Sequence, residues 1–372
     1  MQTTESPALK WLNCDVASLT PYSPGRPIET VARELNLDPA SIIKLASNEN
    51  PLGVSRKAKR AIKETASEMH LYPDGGAHNL RRKLARKHDL PPEQFVIGSG
   101  SNEIIEFIGH CFMGSDRSIV TSAHAFAIYK IIARMFGSET RETPTTKGLG
   151  HDLRAMTDMI DETTSVVFVC NPNNPTGTLI RQPEIRRFLH NVPDDVLVVF
   201  DEAYAELCLS RMPRTLELIR DKNNCIILRS FSKAYGLAGL RVGYGMGPKP
   251  LIDALQQPRQ PFNVNRMAQA AATAALDDQA FLRRSRHLCR ESKTYLENRF
   301  SELGIDYVPA FTNFILVNVE DGEEVSNRLL ERGVIVRPMG GYGLDEYIRV
   351  SFGTMEQNQR FAHELEAVMK NA

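Results

Sequence analysis

Short apolar runs that alternate with helical segments place the strongest constraint on what this chain can fold into. Residues 166–170, 196–200 and 226–229 consist mainly of Val, Ile, Leu and Phe, and helical stretches such as residues 183–190 lie between them. Strands that are apolar on both faces are typical of a parallel sheet covered by helices on each side. The alternation therefore predicts an α/β fold for the middle of the chain.

The last part of the chain follows a different pattern. We predict a long charged helix over Gln279–Leu303, then strands over residues 314–317, 334–336 and 347–350, and a terminal helix over residues 357–370. This mixture indicates a smaller α+β domain. We expect an N-terminal arm over residues 1–45 that packs with the small domain, a large domain over 46–276 and the small domain over 277–372.

The composition argues against several classes of protein. Lys and Arg number 45, as do Asp and Glu, so no net charge attracts nucleic acid or an anionic membrane. The nine histidines show no spacing such as His-Glu-x-x-His, so we expect no metal. Six cysteines without a Cys-x-x-Cys pair fit a reducing compartment. Since no apolar run approaches the ~20 residues of a membrane span and no signal core is present, we expect a cytoplasmic protein.

Polar residues follow directly after three successive predicted strands. Asn174 follows the first, Asp201 and Tyr204 follow the second, and Lys233 follows the third. Ligands of an open α/β sheet bind beyond the carboxyl ends of its strands. Because packing alone does not account for this arrangement, it predicts a ligand site at one edge of the sheet.

Lys233 lies between the hydroxyl residues Ser230 and Ser232 and a glycine-rich turn, and Arg241 follows shortly after. A desolvated lysine at a strand end can form an imine with an aldehyde. Ser230, Ser232 and Arg241 can hold a phosphate. Together these residues favour pyridoxal 5′-phosphate (PLP) as the ligand, against the alternative of an exposed lysine in a turn.

Other residues can meet the further demands of PLP. The pyridine nitrogen needs a buried carboxylate, for which Asp201 is the candidate, although an aspartate here could also cap a helix. The phenolic oxygen needs donors, for which Tyr204 and Asn174 are candidates, although the Asn-Pro-Asn-Asn-Pro-Thr-Gly string could be only a turn. Phe126 could stack on the ring or belong to the core.

A phosphate also needs backbone N–H groups at the start of a helix. The run Gly98-Ser99-Gly100-Ser101-Asn102 follows a predicted strand and precedes an apolar helix. It is no Walker loop, and Glu103 at the third glycine position makes it a weak dinucleotide fingerprint. It is therefore a candidate phosphate site.

Two arginines near the C-terminus lie in apolar surroundings. Arg349 lies within a predicted strand, and Arg337 ends the strand predicted over residues 334–336. An arginine in an apolar strand must be paired, either with a substrate carboxylate or phosphate or in a structural salt bridge.

With these residues the chain resembles a fold-type-I PLP-dependent aminotransferase, and within that fold type it is similar to the histidinol-phosphate aminotransferase family. The resemblance runs over nearly the whole chain, through residues 21–26, 44–51, 72–75, 173–177, 230–241, 261–265 and 349–354. It implies PLP as cofactor and an α/β fold in which a large domain, with a mostly parallel seven-stranded sheet between helices, is joined to a small α+β domain.

The resemblance also implies a role for each site residue. Lys233 forms the imine with PLP, Asp201 binds the pyridine nitrogen, and Tyr204 and Asn174 bind the phenolic oxygen. Phosphate contacts are implied for Ser101, Asn102, Ser230, Ser232 and Arg241, and for Tyr72, which reaches the site of the partner subunit in a homodimer. Arg349 would take the α-carboxylate of glutamate, and the substrate site would also be lined by Tyr22, Asn48 and Arg337. Phe126 stands where the family often has tyrosine, but it keeps a planar face.

The implied reaction converts L-histidinol phosphate and 2-oxoglutarate into imidazole-acetol phosphate and L-glutamate. Three alternatives stay open: an aromatic amino-acid aminotransferase, a decarboxylase acting on an amino-acid phosphate, and a PLP-binding regulator without turnover. The regulator would need a DNA-binding module, and the segment before Lys44 is short and not strongly basic.

Overall fold

The computed structural model describes residues 6–11, 14–17, 19 and 25–370. In this part of the chain the strands are β1 (Ile43–Lys44), β2 (Phe95–Gly98), β3 (Ser118–Ser122), β4 (Glu139–Thr143), β5 (Thr164–Cys170), β6 (Leu197–Asp201), β7 (Cys225–Ser230), β8 (Gly243–Met246), β9 (Tyr307–Val308), β10 (Phe314–Asn318), β11 (Val334–Ile335), β12 (Arg337–Pro338) and β13 (Tyr347–Ser351). The α-helices are α1 (Cys14–Ala17), α2 (Ile28–Leu35), α3 (Arg56–Thr65), α4 (His78–His88), α5 (Ser101–Phe112), α6 (Ile128–Met135), α7 (Leu153–Asp158), α8 (Gln182–Asn191), α9 (Thr215–Leu218), α10 (Lys249–Gln256), α11 (Arg266–Ala275), α12 (Gln279–Leu303), α13 (Gly322–Glu331) and α14 (Met355–Lys370).

The central sheet has seven strands in the order β2-β8-β7-β6-β5-β3-β4. All of them run in the same direction except β8, which lies antiparallel between β2 and β7. The predicted parallel sheet is confirmed, and so are the seven strands implied by the family resemblance.

Side chains of the central strands pack on both faces of the sheet. In β6, Val198 and Phe200 belong to one hydrophobic core, while Leu197 and Val199 belong to another on the opposite face. Successive residues of a strand point to opposite faces, so a run without polar residues fills both cores. The apolar runs of the sequence are thus explained by burial on both sides.

The strand register brings the ends of three strands to one edge. Asp201, the last residue of β6, is paired with Cys170 at the end of β5 and with Leu228 near the end of β7. The segments that follow these strands therefore leave the sheet side by side. The convergence of Asn174, Asp201 and Lys233 predicted from the sequence is present.

A second sheet has four antiparallel strands in the order β12-β13-β10-β9. It is accompanied by α12, α13 and α14, and the bounds predicted for α12 are confirmed. The Asp278 side chain caps the first turn of α12, and Gly304, with a φ of 69°, ends it. The terminal helix begins at Met355, two residues before its predicted start. The division of the chain at residues 45 and 276 stays a prediction.

One local prediction was wrong. Residues 334–336 do not form one strand that ends at Arg337: β11 pairs in parallel with β1, and Arg337 begins the separate strand β12. In β12, Arg337 lies opposite Arg349 of β13, so the break in the strand turns Arg337 toward the second sheet. Helix α6 begins at Ile128, two residues after Phe126. In the described ranges, no helix is both long and apolar enough to cross a membrane.

Candidate active site

A cavity of about 290 Å³ is lined by residues that follow strands β5, β6 and β7. It brings together every residue predicted for the site except two: Tyr22 lies outside the described residues, and Tyr72 lies elsewhere on the surface. The predicted residues that line the cavity are Asn48, Ser101, Asn102, Phe126, Asn174, Asp201, Tyr204, Ser230, Ser232, Lys233, Arg241, Arg337 and Arg349.

Lys233 lies in the cavity just beyond the end of β7. Its Nζ donates a hydrogen bond to the backbone oxygen of Ser47 at 3.1 Å and lies 5.8 Å from the ring centre of Tyr204. Burial lowers the pKa of Lys233 to about 8, and the nearby guanidinium of Arg349 acts in the same direction. A lysine with this pKa is unprotonated far more often at neutral pH than an ordinary lysine, and only the unprotonated amine attacks an aldehyde.

Asp201 is buried, with 2% of its surface exposed. Its Oδ2 accepts a hydrogen bond from the Tyr129 hydroxyl at 2.8 Å, and its Oδ1 accepts one from the backbone N–H of Ala203 at 3.1 Å. Burial raises the pKa of Asp201, while these two hydrogen bonds oppose the rise. The helix-cap alternative is wrong, because the nearest helical turn begins at Ala205 and is preceded by Tyr204.

Tyr129 is a site residue that sequence reasoning missed. It is fully buried in α6, stacks on Phe168 with ring centres 4.4 Å apart, and meets Phe126 edge-on at 5.7 Å. These contacts hold its hydroxyl against Asp201. The only signal in the sequence is its place three residues after Phe126, close enough along the chain for the two rings to meet at the start of α6.

Tyr204 and Asn174 are both held by side chains from distant parts of the chain. Asn48 Nδ2 donates to the Tyr204 hydroxyl at 3.0 Å, and Arg349 Nη1 donates to Asn174 Oδ1 at 2.5 Å. Since its carbonyl oxygen is engaged, the amide of Asn174 presents its Nδ2 donor to a ligand. The string that contains Asn174 is therefore more than a turn.

Arg349 is buried, with 6% of its surface exposed. Besides Asn174, it contacts the backbone oxygen of Ala46 through Nη2 at 2.9 Å, while its Nε has no hydrogen-bond partner among the described residues. Arg337 lines the same cavity and lies opposite Arg349 in the paired strands. Like charges at opposed positions of a sheet repel, so this pair favours an anion between them.

A second anion-binding corner lies at the start of α5. The first residues of this helix, Ser101 and Asn102, follow Gly100, which has a φ of 82° and offers no side-chain cap. Their N–H groups are therefore available to a ligand. Arg241 approaches so closely that a Cβ on Gly100 would lie 2.5 Å from Arg241 Nη2.

Two serines complete this corner from the side of β7. The N–H of Ser232 donates to the Ser230 hydroxyl at 3.1 Å, and Arg241 Nη1 lies 3.4 Å from the Ser232 hydroxyl. Both serines are buried. The corner thus combines hydroxyls, N–H groups at a helix start and one guanidinium, which is a donor set for a phosphate.

Tyr72 is not in the cavity of its own chain. It is 78% exposed and stacks on Phe262, which is 43% exposed, with ring centres 4.6 Å apart. Arg266 Nη2 donates to the Tyr72 backbone oxygen at 2.7 Å. An exposed pair of stacked aromatic rings is a feature of protein–protein interfaces.

The donor set of the cavity fits PLP. A buried carboxylate on Asp201 suits a pyridinium N–H, the amine of Lys233 suits an aldehyde, and the corner at Arg241 suits a phosphate. Phe126 offers a planar face in the same cavity. Each of these three groups of PLP thus has a matching partner in the cavity.

Comparison with known proteins agrees with this chemistry. The family model described as aminotransferase class I and II matches residues 40–365. The chain is 46% identical over 357 residues to a histidinol-phosphate aminotransferase of Akkermansia muciniphila, covering 96% of this chain and 98% of that relative. It is also 46% identical over 356 residues to histidinol-phosphate aminotransferase 2 of Pseudomonas aeruginosa, covering 95% of this chain and 96% of that relative.

A solved structure extends the agreement to the fold. The histidinol-phosphate aminotransferase of Sinorhizobium meliloti in complex with pyridoxal-5′-phosphate superposes with a TM-score of 0.90 at 26% identity, covering 98% of this chain and 99% of that chain. The predicted fold type I is thereby confirmed. Sequence, fold and site together place the chain in the class I and II aminotransferases, and within them it belongs to the histidinol-phosphate aminotransferase family.

Proposed function

We propose that this protein transfers the amino group of L-histidinol phosphate to 2-oxoglutarate, with PLP as cofactor, and so forms imidazole-acetol phosphate and L-glutamate. The observation that carries the proposal is the pairing of Arg337 with Arg349 beside Lys233 in one cavity. The relatives that bear the name of this activity support it.

PLP, when bound, supplies a protonated pyridine ring that draws electrons away from the substrate Cα. Asp201 would hold the proton on the pyridine nitrogen, because a buried carboxylate stabilises a cation beside it. Tyr204 and Asn174 would donate to the phenolic oxygen, and Phe126 would face the ring. Nζ of Lys233 would hold the aldehyde carbon and, once replaced by the amine of the substrate, carry the proton from the substrate Cα.

The phosphate of PLP would lie in the corner at the start of α5. The residues proposed to hold it are Ser101, Asn102, Ser230, Ser232 and Arg241. This assignment leaves the arginine pair for the substrate. The two anion sites of one cavity would thereby be divided between cofactor and substrate.

The arginine pair must accept two different anions in the two half-reactions. Glutamate brings an α-carboxylate, whereas histidinol phosphate has none and presents a phosphate instead. Arg349 has a buried Nε without a partner among the described residues, and a guanidinium offers parallel donors to either group. Arg337, Asn48 and Tyr22 would complete the substrate site, of which Tyr22 lies outside the described residues.

We also propose a homodimer with shared active sites. Tyr72 and Phe262 form a stacked pair, and they are the two exposed aromatic side chains in the part of the chain that the structure describes. In a dimer this pair would be covered, and the hydroxyl of Tyr72 would reach the PLP phosphate in the partner subunit. The free thiols of Cys111, Cys170, Cys208, Cys225 and Cys289 support the proposed cytoplasmic location.

The test is a comparison of amino donors with 2-oxoglutarate as acceptor. We expect kcat/KM for L-histidinol phosphate to exceed that for L-histidinol, which lacks only the phosphate, by about a hundredfold or more, because one charged pair is worth ~2–5 kcal/mol. L-Phenylalanine and L-tyrosine are the second comparison.

Two outcomes would contradict the proposal. A preference for phenylalanine or tyrosine would identify an aromatic amino-acid aminotransferase. Release of carbon dioxide from an amino-acid phosphate without formation of glutamate would identify a decarboxylase.

A further inference from the structure

Three hydrogen-bonded polar side chains support the turn at Gly98–Ser101, which leads into α5. Glu103 Oε2 accepts hydrogen bonds from the backbone N–H of Ser99 at 2.6 Å and from Asn263 Nδ2 at 2.5 Å. Asn263 Nδ2 also lies 3.2 Å from the backbone oxygen of Ile97, at the end of β2. Arg259 Nη1 then donates to Asn263 Oδ1 at 3.1 Å. We name this chain of Glu103, Asn263 and Arg259 the relay.

The relay acts on the part of the turn that faces away from the cavity. The N–H of Ser99 is bound by Glu103, and the N–H of Gly100 donates to the backbone oxygen of Gly98 at 2.8 Å. The next N–H groups, those of Ser101 and Asn102, are the ones that face no partner within the helix. By fixing the peptides before them, the relay sets the direction in which these two groups point.

A carboxylate close to an anion-binding turn needs an explanation. Its negative charge opposes the binding of a phosphate, since like charges repel even through water. In the relay this charge is balanced by Arg259, which is half-buried; burial lowers the pKa of Arg259, and the negative charge of Glu103 opposes that shift. A balanced carboxylate that binds a backbone N–H orients the turn without adding net charge.

The relay also reaches the surface that carries Tyr72. Arg259 Nη1 donates to the backbone oxygen of Gly75 at 2.7 Å, and the Asp74 carboxylate binds the N–H groups of Gly76 and His78. Residues 72–76 and residues 259–263 are therefore joined to the turn at Gly98–Ser101 as one hydrogen-bonded unit. The string Pro-Phe-Asn-Val-Asn at residues 261–265 thereby gains a structural role through Asn263, which the family resemblance did not assign.

We propose that Glu103, Asn263 and Arg259 are positioning residues that orient the phosphate-binding turn of the cofactor site. The proposal rests on the assignment of the PLP phosphate to this turn. None of the three residues lines the cavity, so each acts through the backbone of the turn. Disruption of the relay should therefore weaken the binding of a cofactor that has a phosphate. The binding of a cofactor without a phosphate should stay unchanged.

Binding of PLP and of pyridoxal, which lacks the phosphate, to the cofactor-free protein tests the proposal. We expect Glu103→Gln to weaken PLP about tenfold, because a neutral amide oxygen accepts the hydrogen bonds of Ser99 and Asn263 more weakly than a carboxylate does, and to change the dissociation constant of pyridoxal less than about twofold. Asn263→Ala should give the same pattern. Glu106→Gln, one turn further along α5 and beside His110, is the matched control and should change neither constant.

Equal losses for PLP and pyridoxal, or no loss for either, in both Glu103→Gln and Asn263→Ala would overturn the proposal. Thermal unfolding of the cofactor-free variants shows whether each one folds. Failure of the site assignment itself has a different signature: the unaltered protein would then bind PLP no more tightly than pyridoxal. The measurement requires no amino donor, so it does not depend on the identity of the substrate.

Discussion

Lys233→Met should stabilise the cofactor-free protein, and the gain should shrink as the pH rises. Burial lowers the pKa of Lys233 from 10.5 to about 8 in the folded protein, while in the unfolded chain the lysine is solvated and keeps its ordinary value. At neutral pH the folded protein must therefore keep a charge that its surroundings disfavour. A difference from 10.5 to 8, at about 1.4 kcal/mol per pKa unit, costs about 3 kcal/mol in the free energy of unfolding.

The sign of the pH dependence follows from proton binding. Between pH 8 and 10.5 the unfolded chain binds more protons at this lysine than the folded protein does, so the free energy of unfolding of the unaltered protein rises with pH in that window. The cost is nearly complete at pH 8 and below, and it disappears above about pH 10.5, where both states are neutral. Methionine has a similar length and no charge, so this pH-dependent cost is absent from the free energy of unfolding of the Lys233→Met protein.

Urea unfolding of the two cofactor-free proteins, followed by circular dichroism at several pH values from 7 to 10, measures the difference. Lys59→Met, which removes an exposed lysine from α3, is the control for the replacement of a lysine by methionine as such. A constant difference between Lys233→Met and the unaltered protein over this range would refute the reasoning. It would mean that Lys233 is solvated as an ordinary surface lysine.

Further predictions concern the assembled site. Asp201→Asn should lower turnover by about a hundredfold or more with little change in PLP affinity, as measured by steady-state rates and cofactor titration; a loss of affinity alone would contradict its role at the pyridine nitrogen. Arg349→Lys should slow both half-reactions in single-turnover assays, because a lysine cannot offer parallel donors. Arg337→Ala should reduce kcat/KM for L-histidinol phosphate more than for L-phenylalanine, and equal losses would identify a structural ion pair. Inactive Tyr72→Phe and Lys233→Ala proteins, when mixed, should regain activity, because both defects fall in the same one of the two sites of a heterodimer; mixing without recovery would argue against shared sites.

The fold could be predicted where burial dictates the residue type. Strands β5, β6 and β7 are apolar because both of their faces pack against helices, and the polar residues Asn174, Asp201 and Lys233 stand out directly after them. The bounds of α12 were predictable because a capping aspartate and a terminal glycine mark its ends. Each of these signals is local, because it lies within one continuous segment of the chain.

The parts that could not be predicted depend on contacts between distant segments. Tyr129 looks like any aromatic core residue until the fold places Asp201 beside it. The break between β11 and β12 arises because β1, far away in the sequence, pairs with β11 and leaves Arg337 to the other sheet. The apolar residues around it singled out Arg337 and the family resemblance identified Tyr72, but what each residue contacts required the folded chain.

The two edges of the central sheet at which its parallel strands begin and end should differ in how well they tolerate insertions and deletions. The site occupies the carboxyl edge of the central sheet, whereas the segments that lead into β6 and β7, such as residues 193–195 and 221–224, lie at the opposite edge and are largely exposed. A residue added inside β6 would turn Asp201 to the other face, while a residue added before β6 would leave the strand register intact. Affinity tags or reporter peptides inserted between Asp194 and Asp195 should therefore be carried without loss of the site, and insertions and deletions should accumulate at that edge during divergence.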